Sequence, residues 1–349
     1  MRHALTAYDG WALAYAPFSP AALHLLAILE VQASPSESLV LLPAPPVHPL
    51  PERVNGFLSP ERHSPIERLK WEQFSLPRLA AGCGAGEICL VTPTPPLWSH
   101  QASRCSPAQW GRLPPTRSLR ERLRRSLAFA GMHSLQRLDW PADLPAPADS
   151  FPLQRLRPFV HPLFRADGMD QSGPGPLKLR SQSWPAPGEI PFLLYSGPFD
   201  PAALHLLMAG WSWATPALGP EILLILPRWT DDLPAARPED EFLSTVRQVQ
   251  PETLEGLAWL YRQAAAVIQL GPNQPWGDPA LLALAAHRPL VALEEPAAAA
   301  RAGPAAFLVP PANARLLGAA LVSLLSDDSL AASLNSAAAN RAAGWAQLQ

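Results

Sequence analysis

The residues best suited to chemistry in this sequence lie together in one short loop. The amide of Gln274 can hydrogen-bond a sugar hydroxyl, and the ring of Trp276 can stack on a pyranose or a nucleobase. Gly277 allows the backbone to approach a ligand closely. With Asn273 and Asp278, these residues predict a pocket for a sugar or a nucleotide. The structural alternative is that Asp278 caps the following helix, Trp276 packs against a neighbouring loop and Gln274 faces solvent.

The elements on either side of this loop predict its place in a sheet. An amphipathic helix over 254–264 leads into an apolar strand at 266–270. After the loop come a helix from Pro279 and apolar strands at 289–293 and 305–309. Short apolar strands that alternate with helices are typical of a parallel sheet covered by helices. Ligands bind such sheets in the loops at the carboxyl ends of the strands, which is where this loop lies.

An internal repeat predicts a second, similar domain. Residues 17–26 read PFSPAALHLL and residues 198–207 read PFDPAALHLL, so nine of ten positions are identical. Ser19 and Asp200 are good helix caps, and each is followed by a proline, which suits the first helical position. The repeat therefore predicts two α/β domains. The alternative is convergence on a favourable helix start in a chain rich in Ala, Leu and Pro.

Several segments of the second half share the spacing of a known family. They read LEGLAWLYRQA at 254–264, QPWGDP at 274–279, RPLVA at 288–292, and LLSDD at 324–328 with Trp345 closing the tail. In these segments the chain resembles the nucleotide-sugar half of retaining glycosyltransferases of the GT-B fold, family four. The resemblance covers about residues 190–349 well and the first half weakly. It implies an α/β protein of GT-B architecture, with two Rossmann-like domains whose parallel sheets face a cleft.

The same resemblance implies that the donor site is degenerate. It assigns Gly197 to that site, but Pro198 and Ala203 stand where the family has an arginine and a lysine for the donor diphosphate. The two family carboxylates that contact the sugar and the ribose match Gln274 and Leu282. One charge-assisted hydrogen bond contributes roughly 1.5–3 kcal/mol. Losing the two cations and the ribose carboxylate therefore costs on the order of a thousandfold in donor affinity.

The first half shows the same alternation more weakly. Strands are predicted at 38–42 and 87–92, with a helix at 66–81 that is interrupted near Pro77. An arginine-rich amphipathic helix is predicted at 117–131. Its mixed charge favours a solvated face over a membrane-docking surface.

The catalytic histidine of the family has no counterpart in this sequence. Catalytic members carry a strand that ends in a His-Asp pair, and we predict no such strand between 92 and 117. The nearest histidines, His100 and His133, fit surface or core positions as well as a catalytic one. The catalytic residues are therefore unknown from the sequence.

The domain organisation follows from these elements. We predict an acceptor-type domain at 1–165, a Pro/Gly/Ser-rich linker at 166–190, a nucleotide-sugar-type domain at 191–335 and a C-terminal helix at 336–349. The composition of residues 141–191 predicts loops in place of regular elements.

Composition limits the partners. The net charge is -2 and charged residues make up 16% of the chain, so we expect no nucleic-acid partner. Cys83, Cys89 and Cys105 lack metal-ligand spacing, which favours reduced thiols in a cytoplasmic protein. Two acidic clusters, at 231–232 and 239–241, read as a surface loop. We expect no metal, no cofactor, no signal peptide and no membrane-spanning segment.

Two functions remain open at this point. The first is a glycosyltransferase that moves a sugar from a nucleotide-sugar donor to a glycan or lipid-linked acceptor. The second is a non-catalytic pseudo-glycosyltransferase that binds a glycan or supports a protein partner. The missing cations and carboxylates favour the second, and the resemblance itself favours the first.

Overall fold

The structure is a computed structural model in which the chain forms two compact units. It describes residues 5–34, 36–61, 63–110, 119–132, 135–147, 151–167, 177–179, 190–227 and 241–348. The first unit comprises Met1–His161, Gln274–Asp278 and Leu348–Gln349, and the second comprises Pro162–Asn273 and Pro279–Gln347. The acidic cluster at 231–232 and His133 lie outside the described residues. The domain boundaries predicted from the sequence stay a prediction.

The first unit is built on a parallel sheet of seven strands in the order β3-β2-β1-β4-β5-β6-β7. The strands are β1 Thr6–Asp9, β2 Ser38–Leu42, β3 Asn55–Leu58, β4 Glu87–Leu90, β5 Ala102–Cys105, β6 Arg137–Pro141 and β7 Leu153–Leu156. The central strand β1 is buried over Ala7–Asp9. The edge strand β3 is exposed throughout.

The helices of the first unit are α1 Trp11–Tyr15, α2 Pro20–Val31, α3 Arg68–Lys70, α4 Leu76–Gly82 and α5 Leu119–Gly131. The predicted start of α2 is confirmed, since the Ser19 side chain accepts a hydrogen bond from the Ala22 N–H. The predicted interruption is also found. A π-helical turn at Trp71–Ser75 separates α3 from α4, and Pro77 falls in the first turn of α4, where its missing N–H costs little.

One prediction for the first half is wrong, because β7 lies in the stretch that was predicted to hold only loops. A strand that was not predicted, β5, lies between residues 92 and 117, but it ends at Cys105 and does not carry the His-Asp pair whose absence was predicted. Neither strand has an apolar run, because β5 reads ASRC and β7 reads LQRL. Pairing with neighbouring strands, and not local hydrophobicity, forms them.

The second unit contains a second seven-stranded sheet, ordered β14-β13-β12-β9-β10-β11-β8. Its strands are β8 Leu177–Leu179, β9 Phe192–Tyr195, β10 Leu223–Leu226, β11 Val246–Pro251, β12 Ala266–Gln269, β13 Leu290–Leu293 and β14 Ala306–Val309. All pairings are parallel except that of β8 with β11. The predicted apolar strands of this half are thus confirmed to within a residue or two. Strand β8, in contrast, lies in the stretch 166–190 that was predicted to be a linker.

The helices of the second unit are α6 Pro201–Leu218, α7 Leu254–Gln263, α8 Pro279–Ala285, α9 Pro296–Ala302, α10 Ala314–Ser326 and α11 Asp328–Gly344. The predicted cap of α6 is confirmed, because the Asp200 carboxylate accepts from the backbone N–H groups of Ala202 and Ala203. One face of the sheet packs against α6 and α10 in a core that includes Tyr195 and Ile268.

Among the described residues, no single helix is long and apolar enough to cross a membrane. The pair α10 and α11, bent by 95° at their junction, passes that test together on length and composition alone.

Candidate functional site

The carboxyl ends of β9 and β12 lie side by side in the second unit. The Ser196 N–H donates to the Ile268 carbonyl at 2.9 Å, and the Leu270 N–H donates to the Gly197 carbonyl at 3.0 Å. A Cβ atom on Gly271 would lie 2.6 Å from the ring of Pro198, so only glycine fits there. The segments 196–200, 270–273 and 294–295, which follow β9, β12 and β13, form what we call the second carboxyl edge.

Three side chains at this edge or directly before it have buried polar atoms that the protein itself does not pair. They are the Ser196 hydroxyl, the Gln269 carbonyl oxygen, and both amide atoms of Asn273. Gln269 is 3% exposed. Leaving a buried polar group unpaired costs about 1–3 kcal/mol, and such groups in folded proteins call for an explanation.

The strand register brings two of these side chains together. Tyr195 is aligned with Ile268 in the β9–β12 pair, so the next residues, Ser196 and Gln269, are neighbours. Tyr195 and Ile268 face the α6–α10 core, and successive side chains of a strand alternate between faces. Ser196 and Gln269 therefore share the opposite face. Side chains of this kind, at the carboxyl ends of adjacent parallel strands, are suited to hold a ligand.

The predicted ligand residues lie partly at this edge and partly elsewhere. Gly197, with φ of 110°, and Asn273 belong to it. Gln274, Trp276, Gly277 and Asp278 belong instead to the segment that the first unit includes. Their role in ligand binding stays a prediction.

Trp276 is fully buried in the first unit. Its ring stacks on His24, with ring centroids 4.9 Å apart and planes 8° from parallel, and it contacts Phe159 at 4.9 Å. The indole N–H donates to the Asp139 carbonyl at 3.1 Å. A sugar or base could stack on this ring only if that packing were broken.

The other residues of the segment 274–278 are also held by contacts within the first unit. A Cβ atom on Gly277 would lie 2.0 Å from the Pro20 carbonyl oxygen, and the φ of Gly277 is 62°, so both space and conformation demand glycine. The Gln274 side-chain oxygen accepts from the Trp110 N–H at 3.0 Å. The buried Asp278 carboxylate accepts from the Gln274 N–H. The packing of Trp276 agrees with the structural alternative, whereas the Gln274 side chain bonds to the Trp110 N–H and was expected in that alternative to face solvent.

His24 is a buried residue that the sequence analysis missed. It is 1% exposed, and its Nε2 lies 2.8 Å from the hydroxyl of Ser106, which follows β5. Burial holds the pKa of His24 well below its usual value, so the ring is neutral near pH 7. Its position in the repeated PAALHLL motif was visible in the sequence, but its burial was not.

Charged side chains cluster at the carboxyl end of β1 in the first unit. Asp9 accepts from the Trp71 indole N–H at 2.8 Å and from the Trp11 backbone N–H at 3.1 Å. Burial raises the pKa of the Asp9 carboxyl, although the Trp71 hydrogen bond opposes this. Beside it, Glu72 is fully buried and pairs with Arg68 and Arg124.

The Glu72 cluster is satisfied within the chain. Arg124 donates to both carboxylate oxygens of Glu72, at 2.8 and 2.9 Å, and the Nε of Arg68 donates at 2.8 Å. Such a bidentate pair fixes α5 against the π-helical turn. We therefore assign it a structural role. Of the two histidines considered from the sequence, His100 is exposed and makes no described contact with this cluster.

The fold matches solved structures over nearly the whole chain. WaaG, a glycosyltransferase involved in lipopolysaccharide biosynthesis, superposes with a TM-score of 0.67 at 13% identity, covering 97% of this chain and 95% of that one. The chain has the GT-B fold. Sucrose-phosphate synthase from Thermosynechococcus elongatus gives a TM-score of 0.63 at 15% identity, covering 98% and 94%. Anabaena Alr3699/HepE, solved with UDP and glucose, gives 0.60 at 13% identity, covering 99% and 95%.

No protein-family model and no curated protein sequence matches the chain. At these identities the GT-B likeness concerns the fold, and function has to be argued from the side chains.

Proposed function

We propose that this chain is a glycosyltransferase-like protein with a degenerate donor site, which binds a nucleotide-sugar or a part of one at the second carboxyl edge. The observation that carries the proposal is the group of buried, unpaired polar atoms of Ser196, Gln269 and Asn273. They lie where α/β folds bind ligands, and the solved HepE structure of the same fold was obtained with UDP and glucose. A cytoplasmic location and a glycan or lipid-linked acceptor are part of the same proposal.

A second candidate, a non-catalytic pseudo-glycosyltransferase that binds a glycan or a protein partner, is favoured by a separate observation. In the loop that resembles the family's sugar-binding loop, the side chains of Trp276, Gln274 and Asp278 already contact other residues of the protein. None of these side chains can serve a donor sugar without leaving its present partner.

A thermal-shift screen against UDP, GDP, ADP and their common sugar conjugates tests the proposal. A ligand that binds only the folded state at ten times its Kd stabilises it by about 1.4 kcal/mol, which raises Tm by roughly 2 °C for a chain of this length. The shift should be lost in Gln269→Leu and Ser196→Ala. It should persist in Gln263→Leu, a matched change at an exposed position at the end of α7.

Release of free nucleotide from bound nucleotide-sugar then separates the two candidates. Turnover that Gln269→Leu abolishes supports the transferase. Binding without turnover supports the non-catalytic protein, and absence of any binding by the folded protein would refute the proposal.

A further inference from the structure

We propose that the ligand group recognised at the second carboxyl edge is an uncharged saccharide and not a nucleoside diphosphate. This inference rests on the proposed function, because it names the ligand class of the same site.

The charges of the second carboxyl edge disfavour the binding of a diphosphate. The segments 196–200, 270–273 and 294–295 contain no Lys, Arg or His, and they carry three carboxylates, Asp200, Glu294 and Glu295. Phosphate binding in proteins relies on cations or on helix N-termini, and like charges brought together in a poorly solvated site repel each other.

The backbone offers a diphosphate little compensation. Pro198 and Pro272, in the loops after β9 and β12, have no N–H to donate. The N-terminus of α6 is already taken, because the Asp200 carboxylate accepts from the N–H groups of Ala202 and Ala203, each at 3.1 Å. A phosphate there would have to displace a covalently tethered anion that satisfies the same donors.

The unpaired groups fit neutral hydroxyls well. Gln269 and Ser196 offer oxygens, and the Asn273 amide offers both a donor and an acceptor. Each sugar hydroxyl can donate and accept at once, so a polyol can satisfy this mixed set. Glu294, exposed next to β13, adds an acceptor for a hydroxyl at the rim of the edge.

Entry of the ligand requires a local movement. The unpaired atoms are covered by the chain, whereas Pro272 in the loop after β12 is exposed. We infer that this loop shifts as the saccharide enters and that the hydrogen bonds gained with the ligand stabilise the shifted loop.

Titration calorimetry of the full-length protein tests the inference. The probes are methyl α-glycosides of glucose, galactose, mannose and N-acetylglucosamine, an array of neutral oligosaccharides, UDP and UDP-glucose. We expect at least one neutral saccharide to bind, with a Kd that stays the same when NaCl rises from about 0.05 to 0.5 M. Gln269→Leu should weaken binding about tenfold, the equivalent of one hydrogen bond. Ser196→Ala should also weaken it, and Gln263→Leu should not.

A charge variant provides an independent readout. Glu295→Lys reverses one of the three carboxylates of the edge and should increase the affinity for UDP at low salt. Stronger binding of UDP than of any neutral saccharide by the unmodified protein would overturn the inference while leaving the proposed function standing. If neither class of probe binds the folded protein, both fall.

Discussion

His24 shows how much the meaning of a residue depends on its surroundings. The same repeated motif places His24 in a buried stack with Trp276 and leaves His205, its counterpart in α6, exposed to solvent. The helix starts of both copies were predictable, because caps and prolines act locally. The partner of His24 was not, because Trp276 lies about 250 residues away in the chain.

The burial of His24 predicts a specific pH dependence of stability. Below the usual histidine pKa the unfolded chain takes up a proton at this site and the folded chain does not, because its pKa is depressed. The free energy of unfolding therefore falls by up to about 1.4 kcal/mol per pH unit from this site alone as the pH drops below about 6.5. His24→Phe should lose this part of the slope, as measured by urea unfolding between about pH 7.5 and 5.

His205→Phe controls for the removal of one histidine from the chain. If His24→Phe and the unmodified protein lost stability in parallel as the pH fell, His24 would not be the group responsible.

The buried Glu72 predicts a large effect of a small substitution. Glu72→Gln leaves Arg68 and Arg124 without their carboxylate, and breaking a buried pair in this way costs about 3–5 kcal/mol. The partial exposure of Arg68 places the expected value at the lower end. Glu61→Gln, which breaks an exposed pair with Lys70, should cost less than about 1 kcal/mol. Urea unfolding of both variants measures the contrast, and equal losses would contradict the structural role of Glu72.

At the scale of elements, the contact between α6 and α10 depends on glycine. A Cβ atom on Gly318 would lie 2.6 Å from the Trp213 Cβ and 2.8 Å from the Gly210 carbonyl oxygen. Gly318→Ala should therefore destabilise the protein by about 1–3 kcal/mol, although alanine is the better helix former.

Gly344→Ala is the matched control, because nothing lies within 4 Å of its added methyl group at the end of α11. It should be neutral or stabilising by up to about 1 kcal/mol. Thermal unfolding compares the two, and a stabilising Gly318→Ala would show that the helices can separate at no cost.

The sequence predicted elements where local pattern determines them. The apolar strands β12, β13 and β14 and the helix α8 between the first two were predicted from the sequence pattern. Strands β5 and β6 were not, because each carries a charged residue that is paired only across the sheet. Arg104 in β5 forms an ion pair with Asp139 in β6, and the hydrophobic pattern of the sequence does not reveal such a pair.

The candidate site was predictable to the same extent. The sequence indicated the carboxyl ends of β9 and β12 through Gly197 and Asn273. Gln269 was read as part of an apolar strand, although a glutamine that ends the run AVIQL is itself a signal. The packing of Trp276 was raised as an alternative, and local sequence alone could not decide it.

At the scale of the whole molecule, the first unit needs a segment that is distant in the chain. A fragment of residues 1–161 lacks Trp276, and losing a buried tryptophan costs about 3–5 kcal/mol. We expect this fragment to unfold at lower urea concentration than the same fragment joined through a flexible Gly/Ser linker to residues 270–280. A Trp276→Ala version of the joined fragment should behave like the short one. Identical urea midpoints for all three would show that the segment is dispensable.

Because the first unit includes residues 274–278, its last segment is synthesised long after the rest of the unit. Translation proceeds at about 5–20 residues per second, so Trp276 leaves the ribosome roughly 6–23 seconds after residue 161. During that interval the nascent amino-terminal half exposes the ring of His24 and the apolar surface around it. The buried core of the first unit is therefore completed only after most of the second unit has been synthesised.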